Sequence, residues 1–323
     1  MLPKLWMSLL VLCLVLSSAD APAQFPERPI RVIIPFAPGG NIDVTARVVA
    51  PVISELLGRT LIMDNRSGAG GSVGAEIVAR ANPDGYTLLF GSTGLLSIAP
   101  VISERLPYDP IRSFEPIILV SRVPLVMLVN GKSSVASVSD FISVAKGREG
   151  LTQGSSGTFS TGQLAGILFQ SATGTRLLHV PYKSGGAALV DLVGGQIDVM
   201  FEQVNSATVH IQTGRLRPLA ITATSRSSSL PDVPTMPEAG LPAVEAETFN
   251  AVLAPARTPA SVIRTLNDAA NRALGVKAVR EGYARQGAEV MGGTPESAAA
   301  HIRSELAKWT KVIRSAGLKP DTP

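Results

Sequence analysis

Short β-branched runs that end at glycine-rich turns and pass into helix-patterned segments recur along this chain. No other feature of it restricts the fold so tightly. Ile30 to Phe36 is the first such run; it ends at Ala37-Pro38-Gly39-Gly40, after which Ile42, Val49, Val52 or Ile53, and Leu56 return at helical spacing. Repetition of strand, turn and helix marks an α/β fold with mainly parallel sheets. Leu61 to Met63 reads as the next strand, followed by the glycine-rich Ser67 to Gly74 and a helix through Ala81. A turn at Pro83-Asp84-Gly85 leads into the strand Tyr86 to Phe90, which ends at Gly91-Ser92-Thr93-Gly94.

A second series of units runs from about 124 to 247. Its strands are Leu125 to Val129, Leu151 to Gln153, Leu177 to Val180, Ile197 to Phe201 and Leu216 to Thr222, with helices that include Gln163 to Ala172 and Ala187 to Val193. The tail returns to helices. Thr258-Pro259 and Thr294-Pro295 each read as an N-cap followed by proline at the first helical position. Ile302, Leu306, Trp309 and Ile313 form one stripe, which predicts packing on a sheet. A chain of 323 residues, 45% apolar and 17% charged, suits two folded domains and excludes disorder as the default. The net charge of +4 is spread without a basic run, which excludes nucleic acid as a partner.

Residues 1–23 read as a signal peptide. Lys4 supplies positive charge, Leu5 to Leu16 an apolar run of about 12 residues, and Ala21-Pro22-Ala23 a cleavage site before Gln24. The run is too short to span a bilayer, which disfavours a membrane anchor. Leu12 before Cys13 disfavours a lipoprotein. Cleavage removes Cys13, the single cysteine, so the mature protein is expected in the periplasm with no internal disulfide.

Three polar loops stand at predicted strand ends. Phe36, Ala37, Gly39 and Gly40 with Asp43 form a strand-to-helix turn whose first-turn N–H groups and helix dipole favour an anion. Asp43 is awkward there, because a carboxylate repels such a guest; it serves as a helix cap, a water holder or an acceptor from a ligand N–H. Gly154 to Gly162 carries Ser155, Ser156, Thr158, Ser160 and Thr161 around Phe159, a dense set of small donors suited to carboxylate oxygens. Ser92 and Thr93 form a smaller set. Each loop alone also fits an ordinary tight turn or surface loop. In open α/β sheets ligands bind beyond the carboxyl ends of strands, so the three together carry more weight than any one.

Catalytic patterns are missing from the sequence. There is no Gly-x-Ser-x-Gly elbow and no Walker loop. His179 lies in an apolar strand, while His210 and His301 fall on helical segments expected to be exposed; the three lack metal-ligand spacing. Gly68 to Gly74 departs from the dinucleotide fingerprint, and the strand after it ends at Leu89-Phe90-Gly91-Ser92 with no charged residue for a ribose. No enzyme activity, metal or cofactor is expected. A hydrolase remains the weakest alternative, since the serines of the second loop lack an evident histidine partner.

With these loops in view, the chain resembles the receptors of tripartite tricarboxylate transporters, also called Bug receptors. The likeness spans Pro26-Glu27-Arg28-Pro29-Ile30-Arg31, Pro35-Phe36-Ala37-Pro38-Gly39-Gly40 with Asp43, and Asn65-Arg66-Ser67-Gly68-Ala69-Gly70-Gly71. It continues through Pro83 to Leu89, Leu106 to Pro110, His179-Val180-Pro181-Tyr182-Lys183, Asp191 to Asp198, Leu230 to Thr235 and Gly292 to Glu296. The resemblance implies a type II periplasmic binding protein fold, two α/β lobes joined by two crossing strands and closing like a hinge. Lobe 1 would take residues 25–123 and 248–323, and lobe 2 residues 124–247, with crossings near Ser121 to Pro124 and Phe249 to Leu253. It further implies a small carboxylate ligand (a di- or tricarboxylate, amino acid or aromatic acid), membrane permease subunits as partners, and a monomer. A sensing adaptor for a signalling protein is the alternative role. The loops at Phe36 to Asp43 and Gly154 to Thr161 would face the ligand, with Tyr182, Lys183 and Glu202 at strand ends of the second lobe. Two positions depart from the family pattern: Phe159 replaces a small residue and Gln163 a frequent histidine. Phe159 would make the pocket more apolar, favouring an aromatic or longer acid.

Overall fold

The computed structural model describes residues 25–39, 41–103 and 105–318, so the expected signal peptide and Gly40 lie outside the described residues. The alternation read from the sequence is realised as a mixed α/β architecture. The first part of the chain gives β1 (Ile30–Ile34), α1 (Asn41–Leu57), β2 (Leu61–Asn65), α2 (Ser72–Ala79) and β3 (Thr87–Ser92). A π-helical turn (Gly94–Ile98) and α3 (Ala99–Ile102) lead into β4 (Phe114–Asn130). Then come α4 (Val138–Gly147), β5 (Thr152–Ser155), α5 (Thr161–Thr173), β6 (Leu178–Pro181), α6 (Gly185–Val193), β7 (Val199–Gln203), α7 (Val204–Gln212) and β8 (Leu216–Ile221). The chain closes with β9 (Glu247–Pro255), α8 (Ala260–Gly275), α9 (Lys277–Arg285), β10 (Glu289–Gly292) and α10 (Pro295–Ser315).

The strand order is β2-β1-β3-β9-β4-β7-β5-β6, with β8 and β10 also paired to β4. β4 belongs to two sheets. Its first half pairs with β9 and β10, and its second half with β7 and β8. β1, β2 and β3 are mutually parallel, as are β5, β6 and β7, while the contacts to β4 and β9 are antiparallel. Each sheet is the centre of one lobe. Ser121 to Pro124 lies where β4 passes between them. The return passage sits at Ala246-Glu247, just before the expected Phe249 to Leu253: the Ala246 N–H still donates to Thr222 O at 2.9 Å in the second sheet, whereas Glu247 already stands beside Pro124 in the first.

Both faces of each sheet are covered, because the pleat sends alternate side chains to opposite sides. In the first lobe Ile30, Val32 and Ile34 pack with Val49 of α1, Leu266 of α8 and Tyr283 of α9. Ile33 and Leu89 pack on the other side with Val78 of α2, Leu95 and Ile302 of α10. In the second lobe Leu125, Met127 and Val129 meet Phe141 of α4 and Phe169 of α5, while Val126 and Leu128 meet Leu189 and Leu192 of α6.

The stripe on α10 packs as its spacing predicts, but on two cores. Ala298 and Ile302 enter the first lobe, and Trp309, Val312 and Ile313 enter the second. Thr294 caps this helix, its hydroxyl accepting from the Ser297 N–H at 3.2 Å. At α8 the expected cap is displaced: Pro259 occupies the N-cap position, and the Thr258 hydroxyl instead donates to Pro255 O at 2.7 Å. Trp309 is fully buried, with its indole N–H donating to Glu305 at 3.0 Å. Trp309→Ala should therefore cost about 3–5 kcal/mol of unfolding free energy, measured by urea denaturation.

Candidate functional site

β4 acts as a ruler for the strand ends of both lobes. Ser92, the last residue of β3, stands beside Asn250 of β9, which is in register with Ser121 of β4. Gln203, the last residue of β7, stands beside Leu125. β3 runs in the direction of β4 and β7 runs against it, so the two strands point at one another across the crossing. The four residue steps along β4 from Ser121 to Leu125 correspond to about 13 Å. β1 runs with β3 and β5 with β7, so the loops after β1, β3, β5 and β7 all open toward this gap. The Gln203 side-chain amide donates to the Thr248 hydroxyl at 3.1 Å, joining the two lobes at the crossing.

On the first lobe, Asp43 organises the loop. The side chain is buried, and it accepts from the Gly39 N–H, the Arg47 Nε and the Asn65 amide, each at 2.9 Å. The same Asn65 amide donates to Phe36 O at 3.0 Å. The guanidinium of Arg47 bonded to Asp43 holds its carboxyl at about 2, against the opposing effect of burial. The role the structure displays is not among those considered for Asp43: the carboxylate holds the loop that precedes its own helix. Its charge is matched by Arg47, which removes the repulsion that made it an awkward neighbour for an anion. Gly39 sits at φ 78°, a conformation that suits glycine. Ala37 and Gly39 are exposed, and Phe36 is half-buried close to Gly71. Ser92 and Thr93 are buried at the end of β3, where the Thr93 hydroxyl accepts from the Phe249 N–H at 2.7 Å.

On the second lobe, Ser155 is fully buried, Ser156 and Thr158 are exposed, and Phe159, Ser160 and Thr161 are half-buried. Ser160 caps α5, its hydroxyl accepting from the Gln163 N–H at 3.3 Å. Phe159 lies at φ 60°, a left-handed conformation uncommon for a non-glycine residue. Its N–H donates to Gln163 Oε1 at 2.6 Å. The other end of that amide is 3.1 Å from His179 Nδ1, and His179 Nε2 is 2.7 Å from Ser155 Oγ. Ser155 therefore has a histidine neighbour that the sequence did not reveal.

The chemistry of this chain fixes its protons. The Phe159 N–H requires an acceptor, so Gln163 must turn its oxygen that way and its NH₂ toward His179. Nδ1 then accepts, and the ring proton is on Nε2, where it donates to Ser155 Oγ. Ser155 in turn donates to Gly157 O at 2.9 Å and accepts from the Gly157 N–H at 3.2 Å. A ring nitrogen that already carries a proton is not a base toward that hydroxyl, so this pair is a structural contact and not an activated nucleophile. Burial lowers the His179 pKa, which keeps the ring neutral.

Of the remaining residues singled out from sequence, Tyr182 and Glu202 meet α6. The Tyr182 hydroxyl donates to Asp191 at 2.7 Å, a bond that raises its pKa. Lys183 is exposed. Glu202 is buried, its pKa raised by desolvation, with one oxygen accepting from the Gln203 N–H at 2.9 Å. Its other oxygen lies against Gly185 at the start of α6. His210 and His301 are half-buried rather than exposed; the His301 ring packs edge-on against Phe249, with 4.9 Å between centroids. Arg47, Asn65, His179 and Gln163 escaped the sequence reading as loop supports. A signal existed for Gln163: Ser160-Thr161-Gly162-Gln163 is a capping-box spacing, here with the glutamine accepting one residue further back.

Residues 45–318 match the sequence model of the tripartite tricarboxylate transporter family receptors, TctC. The chain belongs to this family. BugT of Bordetella pertussis is 38% identical over 94% of this chain and 92% of its own length. Among solved structures, Rhodopseudomonas palustris Rpa4515 with adipate is similar at 35% identity and a TM-score of 0.78, covering 92% of this chain and 99% of its own. MatC of the same organism with bound malate gives 32% identity and a TM-score of 0.73, covering 90% and 100%. These TctC-type likenesses accord with the two-lobed periplasmic binding protein fold. The family consists of solute-binding receptors rather than enzymes. Among the described residues, no helix of this TctC-family chain is long and apolar enough to cross a membrane.

The Asp43 contacts predict a specific acid response. Its carboxyl is depressed below the unfolded value, so the stabilisation is complete above about pH 4 and lost as pH falls toward 2. Asp43→Asn should lower stability by about 1–3 kcal/mol at pH 7, and the difference from wild type should shrink at pH 3, by urea denaturation at both values.

Proposed function

We propose that this receptor captures a small carboxylate outside the inner membrane and hands it to the permease subunits of a tripartite tricarboxylate-type transporter. Its lobes close about the crossings in β4 and β9. The supporting observation is the register along β4, which aims the loops after β1 and β5 into one gap from opposite sides. Ala37 and Gly39 on one lobe, with Ser156 and Thr158 on the other, are the exposed members of those loops and the first candidates for ligand contact. Asp43, Thr93 and Ser155 would shape the loops, because their polar groups are already paired within the protein. Tyr182, Lys183 and Glu202 would border the second-lobe side, the first and last held by the bonds described above.

The chemistry of the gap fits a reversible anion receptor. Asp43 is neutralised by Arg47, and the network under the second loop is uncharged, so small donors and helix starts do the selecting. Relatives solved with adipate and with malate support a dicarboxylate as the first class to test. Phe159 is half-buried against the second-lobe core, and what it leaves exposed beside this loop would favour the longer or aromatic members of a ligand panel. The apolar leader ending at Ala23 and the periplasmic character of the family support a periplasmic location for the mature protein, which we read as a monomer with no cofactor.

A thermal-shift panel of malate, succinate, adipate and benzoate tests this reading. An acid at about 100 times its dissociation constant stabilises the folded state by roughly 2.7 kcal/mol, a rise of a few degrees in Tm. The same acid should reduce the radius of gyration in solution scattering as the lobes close. Uniformly flat melting curves across the panel would dispose of the carboxylate assignment.

A further inference from the structure

The bond chain from Phe159 to Ser155 joins a cleft loop to a titratable ring. Among the described residues, β6 is an edge strand that pairs with β5 alone. Through this pairing Gln153 stands beside His179, and the imidazole reaches Ser155 at the end of β5 on one side and Gln163 in α5 on the other. Thr152–Ser155 and Thr161–Thr173 contain no Asp, Glu, Lys or Arg, so the groups these elements turn to the ring are a hydroxyl and an amide. On its own stretch of chain, Arg176 and Lys183 flank β6, and both are exposed.

We propose that Gln163 and His179 are positioning residues for the second cleft loop, Ser155 to Ser160, and that they hold it only while the His179 ring is neutral. Each bond has one permitted direction. The Phe159 N–H takes the Gln163 oxygen, which leaves an NH₂ group facing Nδ1. An imidazolium carries a proton on Nδ1 as well, so protonation sets donor against donor. Relief requires Gln163 to swing its amide, which leaves the Phe159 N–H facing an NH₂ group or nothing. Phe159 at φ 60° keeps that backbone only while its surroundings hold it, so the loop relaxes with the amide.

The sign follows from burial, which lowers the His179 pKa below its ordinary value of 6.5. The folded loop prefers the neutral ring; the arrangement is complete above 6.5 and fails as pH falls through the lower folded value. The receptor then captures near neutrality and releases in acid. This last statement rests on the carboxylate-receptor reading, whereas the state of the loop does not.

Two measurements on the full mature chain separate these levels. Ring ¹⁵N NMR at pH 7.5 should show His179 protonated at Nε2 and bare at Nδ1, with the resonance assigned by its loss in His179→Gln. On acid titration its midpoint should lie below 6.5, and the backbone amides of Gly157 and Phe159 should shift with the same midpoint. Gln163→Glu keeps an acceptor for Phe159 and offers a second oxygen to Nδ1–H. It should carry the midpoint above 6.5 and hold the loop amides steady through the acid range, a reversal that a merely space-filling role for Gln163 would not produce. A proton on Nδ1, a wild-type midpoint at or above 6.5, or loop amides indifferent to the titration would overturn the proposal. Calorimetry with adipate and malate supplies the second readout. For an acid that binds, the dissociation constant should rise about tenfold per pH unit below the wild-type midpoint and stay flat over that range in Gln163→Glu. A flat wild-type profile beside titrating loop amides would show that the loop does not position the carboxylate, against the proposal. If neither acid binds, the carboxylate reading fails by itself, and the NMR titration still decides whether the ring holds the loop.

Discussion

Everything in this receptor hangs on β4 being one unbroken strand in two sheets. Seventeen residues from Phe114 to Asn130 pair with β9 and β10 and then with β7 and β8. Parallel strands are joined by helical crossovers, so each lobe collects its strand-to-helix turns at one end. Because β3 and β7 approach the shared strand from opposite directions, those two ends face each other. A binding gap is the geometric result, without any need for a loop to reach out and make one. Arg122, at the passage between sheets, pairs with Glu289 of β10 at 2.9 Å and with Glu247 of β9 at 3.6 Å, which ties the crossing together on the first-lobe side. Burial lifts the Glu247 carboxyl to about 7 despite that cation, so the tie carries little surplus charge near neutrality.

The two loops that open into the gap are held by different physics. On the first lobe a buried carboxylate takes a backbone N–H, a side-chain amide and a guanidinium, a charge-assisted arrangement that holds Gly39 directly and Phe36 through Asn65. On the second lobe the support is a line of neutral hydrogen bonds beneath a left-handed phenylalanine. Neutral bonds of this kind contribute modestly one by one, yet a break anywhere leaves a buried partner unsatisfied. The first lobe thus offers a rigid wall and the second a wall whose shape depends on every bond beneath it. That asymmetry suits a solute-binding receptor, which must hold its guest and let it go.

Much of the fold was legible because period and punctuation carry it. Ile30 to Ile34 and Leu216 to Ile221 announce themselves by β-branched or apolar runs, and Thr294-Pro295 announces a helix start. The long β4 was not legible as one strand, since Pro116 and Pro124 lie within it and its two halves serve different sheets. The three loops were found because glycine, serine and threonine cluster at strand ends, a compositional signal tied directly to backbone exposure. Their supports were not. The i, i+4 spacing of Asp43 and Arg47 was a readable helix pair, but Asn65 lies 22 residues from Asp43 and His179 24 from the serine it touches. Side-chain pairings between separate strands leave no local trace in composition or spacing. Tyr182 and Glu202, singled out by position, have internal bonds to Asp191 and to the Gln203 N–H that composition did not announce.

The terminal helix α10 has a thermodynamic consequence for the whole molecule. Ile302 completes one apolar core and Trp309 the other, so neither lobe owns all the surface it needs to bury. A fragment cut at the crossings would expose either the slot that Trp309 fills or the indole itself. The lobes are therefore coupled through one helix: each completes its core with residues from an element that the other also depends on.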